Sequence, residues 1–161
     1  MKRKIWVMIP ILWCGIIFYF TQSPLFTSAS TDGKIAAFFG ISDGQVVNAL
    51  NYLSRKSAHF LLFALLAVFI KSMLNEAKRS YWLAWIGASA YGVTDELHQV
   101  FVEGRGPSIL DAGIDSAGAG VALLIYYAAA RKLRNWKSKE GRRIEYGETG
   151  EKPRKRGHSH L

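Results

Sequence analysis

Four apolar segments, each close to the length of a bilayer crossing, occupy most of the first 130 residues and restrict what this chain can fold into. A hydrocarbon core of about 30 Å takes roughly 20 mostly apolar residues in a helix. Residues 5–20, 57–74, 81–102 and 109–130 approach that length, and the last two carry ionisable residues toward one end. A soluble helical protein can bury one such segment, but hardly four within 130 residues. The expected architecture is all-α: an integral-membrane four-helix bundle over residues 1–130, followed by a separate tail over 131–161.

Charge follows the same division. Residues 5–130 carry 7 basic and 8 acidic side chains, whereas residues 131–161 carry 11 basic and 4 acidic ones. The formal charge of +9 therefore belongs mainly to the tail, which argues against a globular nucleic-acid-binding fold. The tail reads as a cytoplasmic segment at anionic lipid, polar and disordered from Ser138 onward. Basic residues also orient the spans. Lys2, Arg3 and Lys4 precede the first, Lys71, Lys78 and Arg79 flank the second connection, and Arg131, Lys132 and Arg134 follow the fourth. If the spans alternate, these groups share one side, and both termini are cytoplasmic. Arg55 and Lys56 then lie on the outer side, against the rule. The first segment also has the features of a cleaved signal peptide, but its long apolar core favours a retained helix.

The 21–54 connection contains Pro24, Gly33, Gly40 and Gly44, and reads as largely irregular. Within it, Val46, Val47, Leu50 and Leu53 recur at helical spacing, with Asp43 as an N-cap. This predicts a helix from about Gly44 that either continues into the second span or lies at the headgroups. Ala84, Ala88 and Gly92 stand four apart on the third span, as do Ala112, Ser116 and Gly120 on the fourth. Small residues at that spacing let membrane helices approach closely. The single cysteine, Cys14, excludes an intrachain disulfide and a cysteine-based metal framework.

Ionisable residues gather near the outer ends of three spans. Asn51, Arg55 and His59 share one face of the second, with Lys56 beside them. The third ends with Asp95, Glu96, His98 and Gln99, followed by Glu103, Gly104 and Arg105; Asp95 is expected to share a face with His98 and Gln99. The fourth opens with Ser108, Asp111 and, one turn later, Asp115. At 1.5 Å per residue, Asp95 and Asp115 lie about 10 Å inside the outer edge and His59 about 6 Å. Charged groups at that depth normally face a bundle interior or a wet cavity. Simpler roles exist for others: Asp111 can form a capping box with Ser108, and Arg55 and Lys56 can snorkel to headgroups.

These residues also resemble a family. Arg55-Lys56-Ser57-Ala58-His59-Phe60 is similar to the R-K-x-x-H-F element of VanZ-like membrane proteins. Asp95-Glu96-Leu97-His98-Gln99 with Phe101, then Gly104-Arg105 and Asp111, resembles their D-E-x-H-Q-x-F…G-R…D element. Asp115 stands where such proteins often carry Asn. The resemblance extends over about residues 5–130 and implies a bacterial cytoplasmic-membrane protein with an envelope role. Its type member is associated with low-level teicoplanin resistance.

Two chemistries fit the cluster. As a binding site, Arg55, Lys56 and Arg105 engage an anionic envelope precursor or a lipoglycopeptide, oriented by Asp95, Glu96 and Asp111, with His59, Gln99 and Asp115 lining the same site. As an enzyme, His59, Asp95, Glu96 and His98 supply general acid–base groups, or hold a divalent ion, for a lipid-phosphate or cell-wall precursor. No H-E-x-x-H spacing and no nucleophile motif is present, so the sequence requires no metal or other cofactor. Membrane lipids are the expected partners, nucleic acid is not, and the sequence assigns no oligomeric state. A transporter ranks third, because four spans are few and no inverted repeat is visible.

Overall fold

The computed structural model describes residues 2–22, 28–74, 78–101 and 106–149. Among them the chain forms five α-helices and no strand: α1 Lys2–Gln22, α2 Ser28–Phe39, α3 Gly44–Met73, α4 Arg79–Gln99 and α5 Ile109–Thr149. Two compact units result, Met1–Ile125 and Tyr126–Leu161.

Helix α3 is the centre of the first unit and packs against α1, α2 and α4. Its start is fixed by Asp43, whose side chain accepts a 2.8 Å hydrogen bond from the Gln45 amide. That bond satisfies one of the donors orphaned at a helix N-terminus. The helix then runs without interruption through the expected second span, about 45 Å at the usual rise. Of the two placements open for the segment after Gly44, the structure has the continuous one.

The preceding connection is not irregular as expected. Residues 28–39 form α2, which ends with Gly40 at φ 64° and a 3.0 Å bond from the Ile41 amide to the Ala36 carbonyl. This is a Schellman closure, in which glycine takes the left-handed position without a Cβ clash. Of the residues that suggested a loop, Gly33 lies inside α2, Gly40 terminates it and Gly44 opens α3, while Pro24 lies outside the described residues.

The core consists of Ile17 from α1, Phe63, Leu66 and Ala67 from α3, Ala84 and Ala88 from α4, and Ala119 and Leu123 from α5. Directional contacts hold α1 in place: the Trp13 indole donates to the Leu62 carbonyl at 2.9 Å, and the Tyr91 hydroxyl donates to the Cys14 carbonyl at 2.7 Å. Gly92, Ser116 and Gly120 of the small-residue stripes do lie at the α4–α5 contact, each against a residue outside the opposite stripe. The Ser89 hydroxyl donates to that of Ser116 at 2.9 Å, the Trp85 indole donates to the Ser116 carbonyl at 3.1 Å, and Gly120 packs against Trp85. A Cβ at Gly92 would come within 3.2 Å of the Asp115 Cβ. A second close approach was not anticipated. At Gly118 of α5, a Cβ would lie 2.3 Å from the carbonyl oxygen of Phe60, so α5 also touches the α3 backbone.

Apolar side chains are abundant on the outside. Phe38, Leu61, Trp82, Leu97, Ile109, Leu110 and Leu124 are all at least 59% exposed, far more than water-facing surfaces usually gather. Helices α3 and α5 are long and apolar enough to cross a membrane by length and composition, and the apolar part of α1, Trp6–Gln22, is shorter. Lys71, one of the basic residues flanking the connection after α3, is fully buried in the last turn of that helix with its ammonium 4.6 Å from the Tyr81 ring centre.

The second unit is helical as far as α5 extends. Disorder from Ser138 was expected from its polar composition, yet the helix continues to Thr149. Lys, Arg and Glu are good helix formers, and no proline falls between Ser138 and Thr149. His158 and His160, which offer two metal ligands at most, lie outside the described residues.

Candidate functional site

The site lies where α1, α3, α4 and the start of α5 meet. On α4, Asp95, Glu96 and Gln99 are 2%, 4% and 3% exposed, and Asp115 on α5 is fully buried. Carboxylates withdrawn from water this completely need partners. Asp95 Oδ1 accepts a 2.7 Å bond from the Thr21 hydroxyl at the end of α1, and its Oδ2 accepts from the Gln99 amide at 3.1 Å. Gln99, one helical turn after Asp95, also donates to Glu96 Oε1 at 3.3 Å. The other oxygen of Glu96 accepts a 2.9 Å bond from the backbone amide of Ser108.

That last bond revises the expected cap of α5. The Ser108 hydroxyl does accept from the Asp111 amide at 3.2 Å, which is half of a capping box. The returning carboxylate is Glu96 from α4, twelve residues earlier in the chain. Asp111 is therefore released for another partner and forms an ion pair with Lys56 of α3. Lys56 also lies 5.0 Å from the Tyr52 ring centre. Lys56–Asp111 and Glu96–Ser108 together tie α3, α4 and the start of α5 at one level.

His59 connects the cluster to α3. Its Nδ1 lies 3.3 Å from Asp115 Oδ1, and its ring stacks on Phe63 at 6.4 Å between centres. Ligand atoms of His59, Asp95 and Glu96 all fall within 4.8 Å of one another. The second oxygen of Asp115, Oδ2, is buried without a hydrogen-bond partner.

Above His59 opens a cavity of about 450 Å³ between the ends of α1 and α2 and one face of α3. Phe20, Ile35, Phe38, Phe39 and Leu62 contribute apolar wall, whereas Lys34, Arg55 and His59 supply basic groups. Arg55 also borders a neighbouring cavity of about 400 Å³ with Asp32, Asn48, Asn51, Tyr52 and Lys56. Asn51, on the same α3 face as Arg55 and His59, donates to Asp32 and accepts from the Thr31 hydroxyl at 2.9 Å, anchoring α2 over α3.

Most expected site residues thus converge: His59, Asp95, Glu96, Gln99 and Asp115 form the buried cluster, Lys56 and Asp111 a flanking pair, and Arg55 borders the cavities. His98 separates from them. It is exposed, with Nδ1 3.1 Å from the Thr94 carbonyl oxygen and its ring edge-on to Phe18; the face shared with Asp95 holds for Gln99 and fails for His98. Arg105 lies outside the described residues. Thr21, Thr31, Asp32 and Lys34 were not anticipated. They belong to the end of α1 and to α2, and no spacing within the polar segments points toward them.

Residues 6–131 match the VanZ/LLP1 family model, and the chain belongs to that family. No curated protein and no solved structure matches it.

Proposed function

We propose that this VanZ/LLP1 family member is a multi-pass protein of the bacterial cytoplasmic membrane that binds an anionic amphiphile at its outer face. In this reading α1, α3, α4 and α5 are the four spans, and both termini are cytoplasmic. The ligand is an envelope component such as a lipid-linked phosphate, or a lipoglycopeptide. The observation that carries the reading is the cavity above His59, where aromatic and aliphatic walls adjoin Lys34 and Arg55. An apolar tail suits the walls and a phosphate or carboxylate suits the guanidinium fork. The buried carboxylates below position His59 and hold the helix ends that frame the opening. Family membership adds glycopeptide tolerance as the expected phenotype.

The test is lipid retention by the full chain purified in detergent. Undecaprenyl phosphate should be retained and phosphatidylcholine released, with Arg55→Ala weakening retention of the phosphate at least tenfold. A charge-assisted hydrogen bond of about 1.5–3 kcal/mol predicts a loss of that size. Equal retention of both lipids with no effect of Arg55→Ala defeats the reading. A deletion strain challenged with teicoplanin and vancomycin, complemented by the same variant, tests the phenotype.

One observation favours a second reading. A histidine and two carboxylates within 4.8 Å beside a ligand-sized cavity are suited to proton transfer on a bound lipid phosphate. Release of inorganic phosphate from a polyprenyl phosphate or diphosphate, abolished by His59→Gln, would distinguish catalysis from retention.

A further inference from the structure

Among the described residues, the side chains and amides that hydrogen-bond to the buried cluster carry little positive charge. Asp95, Glu96 and Asp115 are all at least 96% buried. Among the described residues, Asp95 and Glu96 accept from the Thr21 hydroxyl, the Gln99 amide and the Ser108 backbone amide, which are neutral donors. Lys56, the nearby cation of α3, is committed to Asp111. The imidazole of His59 can offset one charge only when protonated. Hydrogen bonds fix where these carboxylates point, but they leave formal charge in a poorly solvated interior, where charges are normally paired or coordinate a metal.

We propose that His59, Asp95 and Glu96 bind a divalent transition-metal ion, Zn²⁺ or Mn²⁺, with Asp115 as the residue that orients His59. One imidazole nitrogen and two carboxylate oxygens form a mixed set that such ions accept, with solvent or ligand completing the coordination. The three donor atoms stand within 4.8 Å of one another. Ligands near 2.1 Å from a tetrahedral ion are about 3.4 Å apart, so the cluster has at most about 1.4 Å to close on the metal. Asp115 supplies an independent indication. Its Oδ1 engages His59 Nδ1 at 3.3 Å, the carboxylate–histidine relation that fixes the ring of a metal ligand and leaves the other nitrogen for the ion. Its Oδ2 is fully buried and unpartnered, facing α4 at Gly92, one turn before Asp95 and Glu96. A nearby cation explains why an unsatisfied carboxylate oxygen is kept there. The sequence offers His59, Asp95, Glu96 and His98 as groups able to hold a divalent ion, without a zinc-type motif; the fold keeps the first three together and turns His98 away.

The proposal goes beyond lipid retention and is tested without a lipid. Full-length protein in detergent, stripped with EDTA, is titrated with ZnCl₂ or MnCl₂ alone. One equivalent should bind and raise the melting temperature; Glu96→Gln and His59→Gln should each weaken binding at least tenfold, and His98→Ala should leave it unchanged. No binding by the wild type, or equal binding by all three variants, overturns the site. Equal binding would place any metal elsewhere, and absence of binding would mean that protons balance the carboxylates. If both cluster variants fail to fold, Mn²⁺-loaded wild type decides: nitrogen hyperfine coupling from an imidazole supports the site, and its absence refutes it.

Discussion

Replacing Gly118 by alanine should damage this protein more than any other single methyl group added to α5. The added Cβ would lie 2.3 Å from the Phe60 carbonyl oxygen and 3.0 Å from its carbon. Ordinary contact begins near 3.4 Å, so α3 and α5 must separate by about 1 Å. The obstacle is backbone inside a helix, which cannot rotate aside as a side chain can. Overpacking of this kind costs about 1–3 kcal/mol, and the upper half of that range is expected. Gly113 of the same helix is the matched control, because nothing lies within 4 Å of its added Cβ. There alanine should stabilise by about 0.4–1 kcal/mol through helix propensity and reduced unfolded-state freedom. The two variants should therefore differ by roughly 2–4 kcal/mol, or about 4–16 °C in melting temperature by the scaling for chains of this size. Phe60 follows His59 and Gly118 lies one turn after Asp115, so the separation should also lengthen the 3.3 Å His59–Asp115 contact. Thermal melts in one detergent measure the difference. Equal melting temperatures for Gly118→Ala and Gly113→Ala would show that α5 does not approach α3 this closely.

Further outcomes are open to measurement. Glu96→Ala should cost about 1 kcal/mol, because the half-buried Ser108 amide loses its acceptor; Glu96→Gln keeps an acceptor and should cost less in the same melts. The Lys56–Asp111 pair is 20% and 13% exposed at its side chains, and solvent screening limits its worth. A double-mutant cycle with Lys56→Met and Asp111→Asn should give a coupling of about 1 kcal/mol, and zero coupling would make the pair incidental. Sequencing the mature N-terminus should find α1 retained, whereas a start near Ser30 would remove the Thr21 donor to Asp95. Reporter fusions at either terminus should be active only in the cytoplasm.

Much of the fold was legible because apolar length and local caps act within short stretches of chain. Asp43 and Gly44 marked the start of α3, and Gly92, Ser116 and Gly120 of the small-residue stripes lie at the α4–α5 contact, against Asp115, Ser89 and Trp85 rather than against the opposite stripe. The polar cluster was legible for a similar reason. Charges deep in apolar segments have few places to go, and four-residue spacing put Asn51, Arg55 and His59 together. What stayed hidden depends on relations between helices. Helix α2 has few apolar residues before Ile35 and is held over α3 by Asn51 bonds to Thr31 and Asp32, which no local pattern reveals. Gly118 lies outside the Ala112–Ser116–Gly120 stripe, so its contact with Phe60 requires the packed geometry. Asp111 has a local partner available in Ser108, and only the fold shows Glu96 meeting Ser108 while Asp111 reaches Lys56, 55 residues away.

The exchange at the start of α5 bears on why these polar residues are present. A capping box within α5 would satisfy the helix terminus locally, with Asp111 returning to Ser108. Using Glu96 instead links two helices through one carboxylate and frees Asp111 to hold Lys56. Stability alone gives little reason for this, since apolar residues of similar volume commonly replace buried ionic groups without loss. The arrangement does fix the relative depth of α3, α4 and α5 around His59, and Thr21 extends the same network to α1. Four helices are thereby referenced to one small volume beneath the cavity. Placing donor atoms to within a fraction of an ångström is a requirement of ligand or metal recognition, and a lipid-exposed bundle packed only by apolar side chains has no comparable demand. The cost of burying Asp95, Glu96 and Asp115 is therefore better explained by what the cluster holds than by what it contributes to folding.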